Sequence, residues 1–298
     1  MPWNDFVLSL TETSRVAKNL RRLEFEVVPD SGHGYDPIDP GDEAIAFYFS
    51  ADEHPLDTRP AAEESSGIAW ELTEPERCTG SRNFTIRQYD PITRRMLIDV
   101  AEHDHGPAID WFRAAQPGWR TLAAGPRSWH SPPADASRHI LAGDLASLPA
   151  IARIMENTDP DIHVTVVAEV LDDSEIDYLP RRDRAEIVPL LGSGNGVTRS
   201  RLAAALGEVD LPADAYLWLA GEAADTRAGK KHVRSLGWPR NRANVVGYWR
   251  FNSEEWEKKF AERGSDQLIA VYQDAVKSGM SEEDAAEVYD AALEKAGL

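Results

Sequence analysis

Residues 82–87 read Arg-Asn-Phe-Thr-Ile-Arg and bring cationic, aromatic and hydroxyl side chains into one short stretch. On a β-strand, side chains two apart point to the same face and neighbours point to opposite faces. As a strand, this stretch carries Arg82, Phe84 and Ile86 on one face and Asn83, Thr85 and Arg87 on the other. A cation, a flat ring and a hydroxyl donor then lie side by side, although an ordinary sheet strand accounts for the same pattern.

A second segment, 103–108, reads His-Asp-His-Gly-Pro-Ala and opens an amphipathic helix predicted at 108–115. The free N–H groups and the positive dipole end of a helix suit a pyrophosphate. Proline is common at helix starts, so this signal is weak when taken alone. The order and spacing of the two segments predict a flavin-binding site.

Composition limits the class of protein. The chain has 298 residues, of which 42% are hydrophobic, and this length favours two domains plus an appendage. The formal net charge of -19 argues against a general nucleic-acid binder, because phosphate binding needs local positive potential. Any anionic ligand must therefore meet a local basic patch.

Cys78 is the single cysteine, which excludes an internal disulfide, a four-cysteine zinc site and a cysteine-ligated iron–sulfur cluster within the chain. His103 and His105 stand two apart, but no third ligand is evident, so no dedicated metal site is expected. The N-terminus lacks the pattern of a signal peptide, and no apolar run is long enough for a membrane span. A soluble, cytoplasmic monomer is expected.

The first part of the chain has the spacing of an antiparallel barrel. Strands are predicted at 20–28, 44–49, 83–89, 96–102 and 120–124, with a long, poorly structured loop at 51–80. Proline and aromatic residues mark a domain boundary at 128–137. The predicted domains are a β-barrel at 1–130, an α/β domain at 131–250 and a helical extension at 251–298.

In the second part, strands alternate with helices. Strands are predicted at 139–142, 162–170, 186–191, 216–220 and 244–249, and helices at 145–156, 199–206 and 222–235. This alternation favours a mostly parallel sheet covered on both faces. Ligands bind such sheets at the carboxyl ends of the strands, so Gly143, Asp144, Gly221 and Glu222 should line a reductant cleft. The glycines at 192–196 do not have the spacing of a dinucleotide fingerprint.

The segment 216–223, Tyr-Leu-Trp-Leu-Ala-Gly-Glu-Ala, with Arg227 and then Val-Val-Gly-Tyr-Trp-Arg at 245–250, resembles the signature of the siderophore-interacting proteins. These are flavin-dependent ferric-siderophore reductases. The resemblance runs from Leu20 to about Arg263 and implies a ferredoxin-reductase-like fold, in which an FAD-binding barrel precedes a Rossmann- or flavodoxin-like NAD(P)-type domain. Phe84 replaces the tyrosine usual in the family, and Ser128 replaces a common glycine.

The resemblance also implies roles for individual residues. Arg82, Phe84 and Thr85 would contact the flavin ring or ribityl chain. Arg87 and the helix start would hold the pyrophosphate, although Arg87 could instead form a salt bridge and Trp111 could be core packing. The full cofactor-binding set is Arg82, Phe84, Thr85, Arg87, Val100, His103, Gly106, Pro107, Ala108, Trp111, Glu222 and Trp249. The basic residues expected to bind substrate are Lys231, Lys258, Lys259 and Arg263.

The implied activity is reduction of ferric siderophores, with electrons passing from NAD(P)H or reduced ferredoxin through FAD. Siderophores hold Fe(III) with hard, anionic oxygen ligands, so reduction weakens binding and releases Fe(II). Residues after Trp249 could cover the nicotinamide face of the flavin, which would make ferredoxin a candidate donor. Two alternatives are a ferric-siderophore binder without redox chemistry and a flavin reductase for another small acceptor such as a quinone.

Overall fold

In the first part of the chain, buried and more exposed residues alternate, as expected for β-strands with one face on a core. In the first strand Phe6, Leu8 and Leu10 are buried on one face. The computed structural model describes residues 4–29, 34–38, 41–65, 68–102 and 107–298. The elements up to residue 127 are β1 (Asn4–Ala17), β2 (Leu20–Val27), β3 (Ala44–Ser50), β4 (Thr58–Ser65), β5 (Ile68–Leu72), β6 (Cys78–Asp90), β7 (Arg95–Ala101), α1 (Pro107–Ala114) and β8 (Arg120–Arg127).

Six of these strands form a closed antiparallel barrel in the order β1-β2-β7-β6-β3-β8. Its core contains Phe25, Phe47, Ile86 and Ile98, all fully buried. The predicted antiparallel barrel is thereby confirmed. β1 is not among the strands predicted from the sequence, although its alternation of Phe6, Leu8 and Leu10 carried the signal.

The predicted loop at 51–80 is wrong in its middle, where β4 and β5 form a hairpin. Two contacts hold the hairpin on the barrel. The Thr58 hydroxyl donates to Asp5 at 2.5 Å, and the Trp70 ring meets the Tyr48 ring edge-on at 5.3 Å. These contacts join residues far apart in sequence, so local composition does not reveal them.

The second part forms a five-stranded parallel sheet in the order β11-β10-β9-β12-β13. One face packs on α2, and the other packs on α3 and α4, so both faces are covered as predicted. The predicted helix at 199–206 is shorter than expected. The elements are β9 (Arg138–Asp144), α2 (Leu148–Asn157), β10 (His163–Val170), β11 (Ala185–Leu191), α3 (Leu202–Leu206), β12 (Ala215–Glu222), α4 (Ala223–Ser235) and β13 (Ala243–Trp249).

Asp42, fully buried just before β3, joins the barrel to the sheet. It accepts hydrogen bonds from the backbone N–H of Trp129 at 3.0 Å and of His130 at 2.9 Å. The Ser128 hydroxyl and the Trp218 indole, the latter at 3.0 Å, donate to the same carboxylate. One side chain therefore fixes the connecting segment and the interior strand β12 to the barrel.

A second link joins α2 to the barrel. Arg153 donates from one guanidinium nitrogen to the Glu43 carboxylate at 2.6 Å, and from another to the Ile86 carbonyl at 2.6 Å. Glu43 is fully buried. A buried carboxylate that lost this partner would be strongly destabilising, so the ion pair holds the start of β3 against α2, and the bond to Ile86 holds β6 there.

The buried His139 and the partly buried His130 lie at the junction, and both rings pack against Tyr216. His130 and His139 lie 5.9 Å apart, and their distances to the Tyr216 ring are 5.4 and 5.5 Å. Burial lowers the pKa of each histidine to about 4, because the charged form loses solvation. Both are therefore neutral in the folded protein at neutral pH.

We expect the protein to lose stability as the pH falls from about 6.5 towards 4, by on the order of 3 kcal/mol for each of these histidines. The sign follows because the unfolded chain binds these protons at a higher pH than the folded chain. Urea denaturation at several pH values measures the effect. In the His139→Gln variant the loss between neutral and acid pH should be smaller than in the wild type.

The comparison between variants is needed because protonation of Asp144 stabilises the folded state as the pH falls, whereas protonation of the two histidines destabilises it. Its pKa is raised to about 7 by burial, so the folded state takes up this proton first as the pH falls. Replacing the exposed His54 by glutamine serves as the control. If His139→Gln and His54→Gln show the same pH dependence, burial of His139 is not the cause.

The chain divides into two compact units, Met1–Trp249 and Arg250–Leu298. In the second unit the structure describes three helices: α5 (Ser253–Glu262), α6 (Ser265–Lys277) and α7 (Glu282–Lys295). Ser281 caps α7, since its hydroxyl oxygen accepts from the Asp284 N–H at 3.1 Å. Within the described residues, no helix combines the length and the apolar character needed to cross a membrane.

Candidate active site at the junction of barrel and sheet

Strand β6 shows the predicted alternation of faces. Phe84 and Ile86 pack against the barrel core, where the Phe84 ring lies 5.3 Å from both Phe47 and Phe112. Thr85 and Arg87 face the second domain. Phe84 is half-buried, so part of its side chain remains accessible.

Opposite Thr85 stands Tyr248, near the carboxyl end of β13. The two hydroxyls are buried and close to each other, and neither makes a hydrogen bond of normal geometry to a described residue. Burial raises the pKa of Tyr248 well above its ordinary value. The Tyr248 ring is flanked by Trp129 at 6.2 Å and Trp218 at 5.9 Å. Two enclosed hydroxyls in an aromatic setting are the kind of groups that a polar, planar ligand satisfies.

The two arginines of β6 are not brought together. Arg82 is exposed and donates to the Ser81 carbonyl at 2.8 Å. Arg87 forms a bidentate ion pair with Glu156 of α2, at 2.7 and 2.6 Å, and its guanidinium lies 5.9 Å from the Tyr178 ring. In this structure Arg87 thus makes the salt bridge that was the alternative to a phosphate contact.

Helix α1, which was predicted at 108–115, runs from Pro107 to Ala114. His103 and Gly106 lie outside the described residues, and Ala108 is buried in the first turn. Val100 and Trp111 belong to the barrel core, and the Trp111 ring packs on Phe49 at 5.8 Å. Core packing therefore accounts for Trp111, and the side chains of both residues are enclosed by protein.

The predicted cleft residues meet at the carboxyl edge of the sheet. One carboxylate oxygen of Asp144 accepts from the Glu222 N–H at 2.8 Å and from the Trp249 indole at 2.6 Å. Burial raises the pKa of Asp144 to about 7, because it outweighs these hydrogen bonds. Gly221 has a φ of 155°, and a Cβ there would lie 2.7 Å from Asp144. Gly143 likewise leaves no room for a side chain, because a Cβ would clash with Ser147 and β12.

Glu222 caps α4 with its side chain. One carboxylate oxygen accepts from the N–H groups of Ala224 at 2.6 Å and Asp225 at 3.0 Å. Burial and then the charge of Glu222 raise the pKa of Asp225 to about 6. Asp225 and the junction residue Asp42 are site features that were not predicted. Asp42 sits in a turn-like Pro-Gly-Asp sequence, so its partners were not evident.

The four predicted substrate residues are all exposed. Lys231 lies on α4 of the first unit. In the second unit Lys258 and Lys259 lie on α5, and Arg263 follows its last turn. Lys259 pairs with Glu255 at 2.7 Å, one helical turn earlier. Among the described residues, no group of three or more His, Cys, Asp or Glu side chains is arranged to hold a metal ion.

Comparison of the sequence with known proteins indicates the family of the chain. Residues 9–130 match the model of the siderophore-interacting FAD-binding domain, and residues 136–252 match the model of the siderophore-interacting protein. The NADPH-dependent ferric-chelate reductase of Escherichia coli is 28% identical over 213 residues, which are 70% of this chain and 79% of that protein.

Solved structures agree in fold. A siderophore utilization protein from T. fusca has 27% identity and a TM-score of 0.65, over 85% of this chain and 95% of that one. The ferredoxin reductase of carbazole 1,9a-dioxygenase, 14% identical, has a TM-score of 0.60 over 84% of this chain and 70% of its own. The fold is therefore ferredoxin-reductase-like. With both family models matched in sequence order across the barrel and the sheet, the chain belongs to the siderophore-interacting protein family.

Proposed function

We propose that the protein is an FAD-dependent reductase that converts ferric siderophores to Fe(II) in the cytoplasm. The observation that carries the proposal is the pair of enclosed hydroxyls, Thr85 and Tyr248, where β6 of the barrel meets the end of β13 of the sheet. Family membership supports it, as do relatives named NADPH-dependent ferric-chelate reductase and ferric acinetobactin reductase.

The residues at the junction fit a flavin. Phe84 would flank the ring, the Thr85 hydroxyl would reach its polar edge, and the first turn of α1 would meet the pyrophosphate. A phosphate contact from Arg87 requires its ion pair with Glu156 to open. Bound FAD supplies the ability to accept a hydride and pass on single electrons. NAD(P)H or reduced ferredoxin is the proposed source of those electrons.

The substrate is selected by charge. Ferric catecholates and mixed chelates are anionic, and the protein carries a formal net charge of -19, so the chelate must approach local positive charge. We assign this role to Lys231, Lys258, Lys259 and Arg263. One-electron reduction of Fe(III) then weakens its binding to the hard oxygen ligands of the chelate.

Replacing both Lys258 and Lys259 by alanine is expected to raise KM for the ferric chelate about fivefold, because exposed charges contribute modestly and are screened by salt. The flavin content should not change. Steady-state assays at low ionic strength measure the effect. The control variant replaces Lys277 and Lys295, exposed lysines of the same unit, so that the net charge changes equally. Equal KM values in the two double variants would remove Lys258 and Lys259 from the site.

Three observations test the proposed function. The purified protein should be yellow with flavin absorption bands. After anaerobic photoreduction, addition of a ferric siderophore should restore the oxidised spectrum and yield Fe(II) that a ferrous chelator traps. A quinone should turn over more slowly than the ferric chelate. A colourless protein that still binds the ferric chelate would identify a non-redox binder, and faster quinone turnover would identify a different reductase.

A further inference from the structure

The carboxyl edge of the sheet has an unusual arrangement at its helix starts. After β9, the Asp144 carboxylate accepts from the Ala146 N–H at 3.1 Å. After β12, the Glu222 carboxylate accepts from the N–H groups of Ala224 and Asp225. β9 and β12 are the neighbouring strands at which the sheet order reverses. The chain's own carboxylates therefore occupy the helix starts at both sides of this switch point.

The outer junctions follow the same pattern. Glu169, fully buried at the end of β10, accepts from the Arg201 N–H at 2.6 Å, just before α3. Its other carboxylate oxygen is buried without a hydrogen bond to any described residue. After β10, the fully buried Glu175 accepts from the backbone N–H groups of Leu171 at 2.9 Å and Asp172 at 3.0 Å. Carboxyl groups thus line the edge, and that of Asp144, whose pKa burial raises to about 7, is only partly ionised at neutral pH.

In α/β sheets of this type, a dinucleotide places its pyrophosphate on the free N–H groups of a helix start at the switch point. Here those N–H groups already have carboxylate partners, and a diphosphate would approach like charge. We propose that Asp144, Glu169, Glu222 and Asp225 are specificity determinants that exclude the diphosphate of a nicotinamide dinucleotide from this edge. This proposal rests on the proposed function and specifies how the donor is selected.

A nicotinamide donor then reacts through its nicotinamide ring alone, without a diphosphate contact at the helix starts. The environment of the carboxylates agrees with this arrangement. Burial and the charges of Glu222 and Glu169 raise the pKa of Asp225 to about 6. A phosphate bound beside Asp225 would add a further negative charge to this group of carboxylates and would be repelled by it. Donor affinity is therefore expected to be low.

The direct test uses ADP-ribose, which carries the diphosphate without the nicotinamide, and FAD-loaded protein, so that the flavin site is filled. Isothermal titration calorimetry should find a Kd weaker than about 1 mM for the wild type. The Asp225→Asn, Glu169→Gln variant should bind at least about tenfold more tightly, because two like charges are removed. The control variant, Glu186→Gln with Asp161→Asn, removes two exposed carboxylates at the opposite ends of strands and should bind as weakly as the wild type.

A kinetic measurement adds a second readout. The second-order rate constant for anaerobic flavin reduction should be similar for NADPH and for dihydronicotinamide riboside, which has no phosphate. The rate with NADPH should rise with ionic strength, because salt screens repulsion between like charges. Micromolar binding of ADP-ribose to the wild type, or reduction by NADPH more than about tenfold faster than by the riboside, would overturn the proposal. Ferric-chelate reduction by photoreduced protein is measured without either donor, so it tests the proposed function separately.

Discussion

Replacing Asp42 by alanine is expected to lower the free energy of unfolding by about 4 kcal/mol, since buried donors left without a partner cost about 1 to 3 kcal/mol each. Those donors are the Ser128 hydroxyl, the N–H groups of Trp129 and His130, and the Trp218 indole. They belong to the connecting segment and to β12, so the barrel and the sheet should lose their fixed arrangement together. Urea denaturation followed by tryptophan fluorescence measures the change.

Two further variants make the Asp42 prediction specific. Asp42→Asn keeps one acceptor oxygen and the side-chain volume, so it should cost about half as much as Asp42→Ala. Asp36→Ala removes an exposed carboxylate from the same connection and should change stability by less than about 0.5 kcal/mol. A loss of less than about 1 kcal/mol in Asp42→Ala would contradict the role assigned to Asp42.

Replacing Phe84 by alanine is expected to lower FAD affinity by more than about tenfold, because an aromatic contact with a ligand ring contributes about 0.5 to 1.5 kcal/mol beyond its buried area. The half-buried Phe84 ring packs on Phe47 and Phe112, and part of the side chain remains accessible. Titration of the apoprotein with FAD, followed by flavin fluorescence, measures the affinity. Phe84→Tyr should bind FAD at least as well as the wild type.

Tyr89 supplies the matched control for Phe84. It lies on the same strand, is half-buried, and packs against the same core beside Tyr35 at 4.7 Å. Tyr89→Ala should therefore cost similar stability, on the order of 3 kcal/mol, but leave FAD affinity unchanged. Equal FAD affinities in Phe84→Ala and Tyr89→Ala would mean that Phe84 acts only in the barrel core.

The parts of the fold that follow local periodicity were predictable. Alternation along 82–87 correctly separates Phe84, on the barrel core, from Thr85, which faces the sheet. Runs of Val, Ile and Leu in β9, β10 and β12 predict strands buried on both faces, and the structure has them. The glycine and acid at the ends of β9 and β12 correctly predict that Asp144 and Glu222 stand at the same edge.

The parts that depend on distant partners were not predictable. Arg87 pairs with Glu156, which is 69 residues away, and Asp42 accepts from Trp218, which is 176 residues away. Neither pairing leaves a local pattern in the sequence. The hairpin of β4 and β5 was missed for a related reason, since its composition resembles a loop and contacts to Asp5 and Tyr48 hold it in place.

The measurement that tests the central claim most directly is the yield of Fe(II) in a single anaerobic turnover. Photoreduced protein is mixed with excess ferric siderophore and a ferrous chelator, and the absorbances of the flavin and of the trapped iron are followed together. A two-electron-reduced flavin holds the electrons for two one-electron reductions. We predict two trapped Fe(II) ions for each flavin that is reoxidised. A flavin that stays reduced, with no Fe(II) trapped, would contradict the proposed reductase activity.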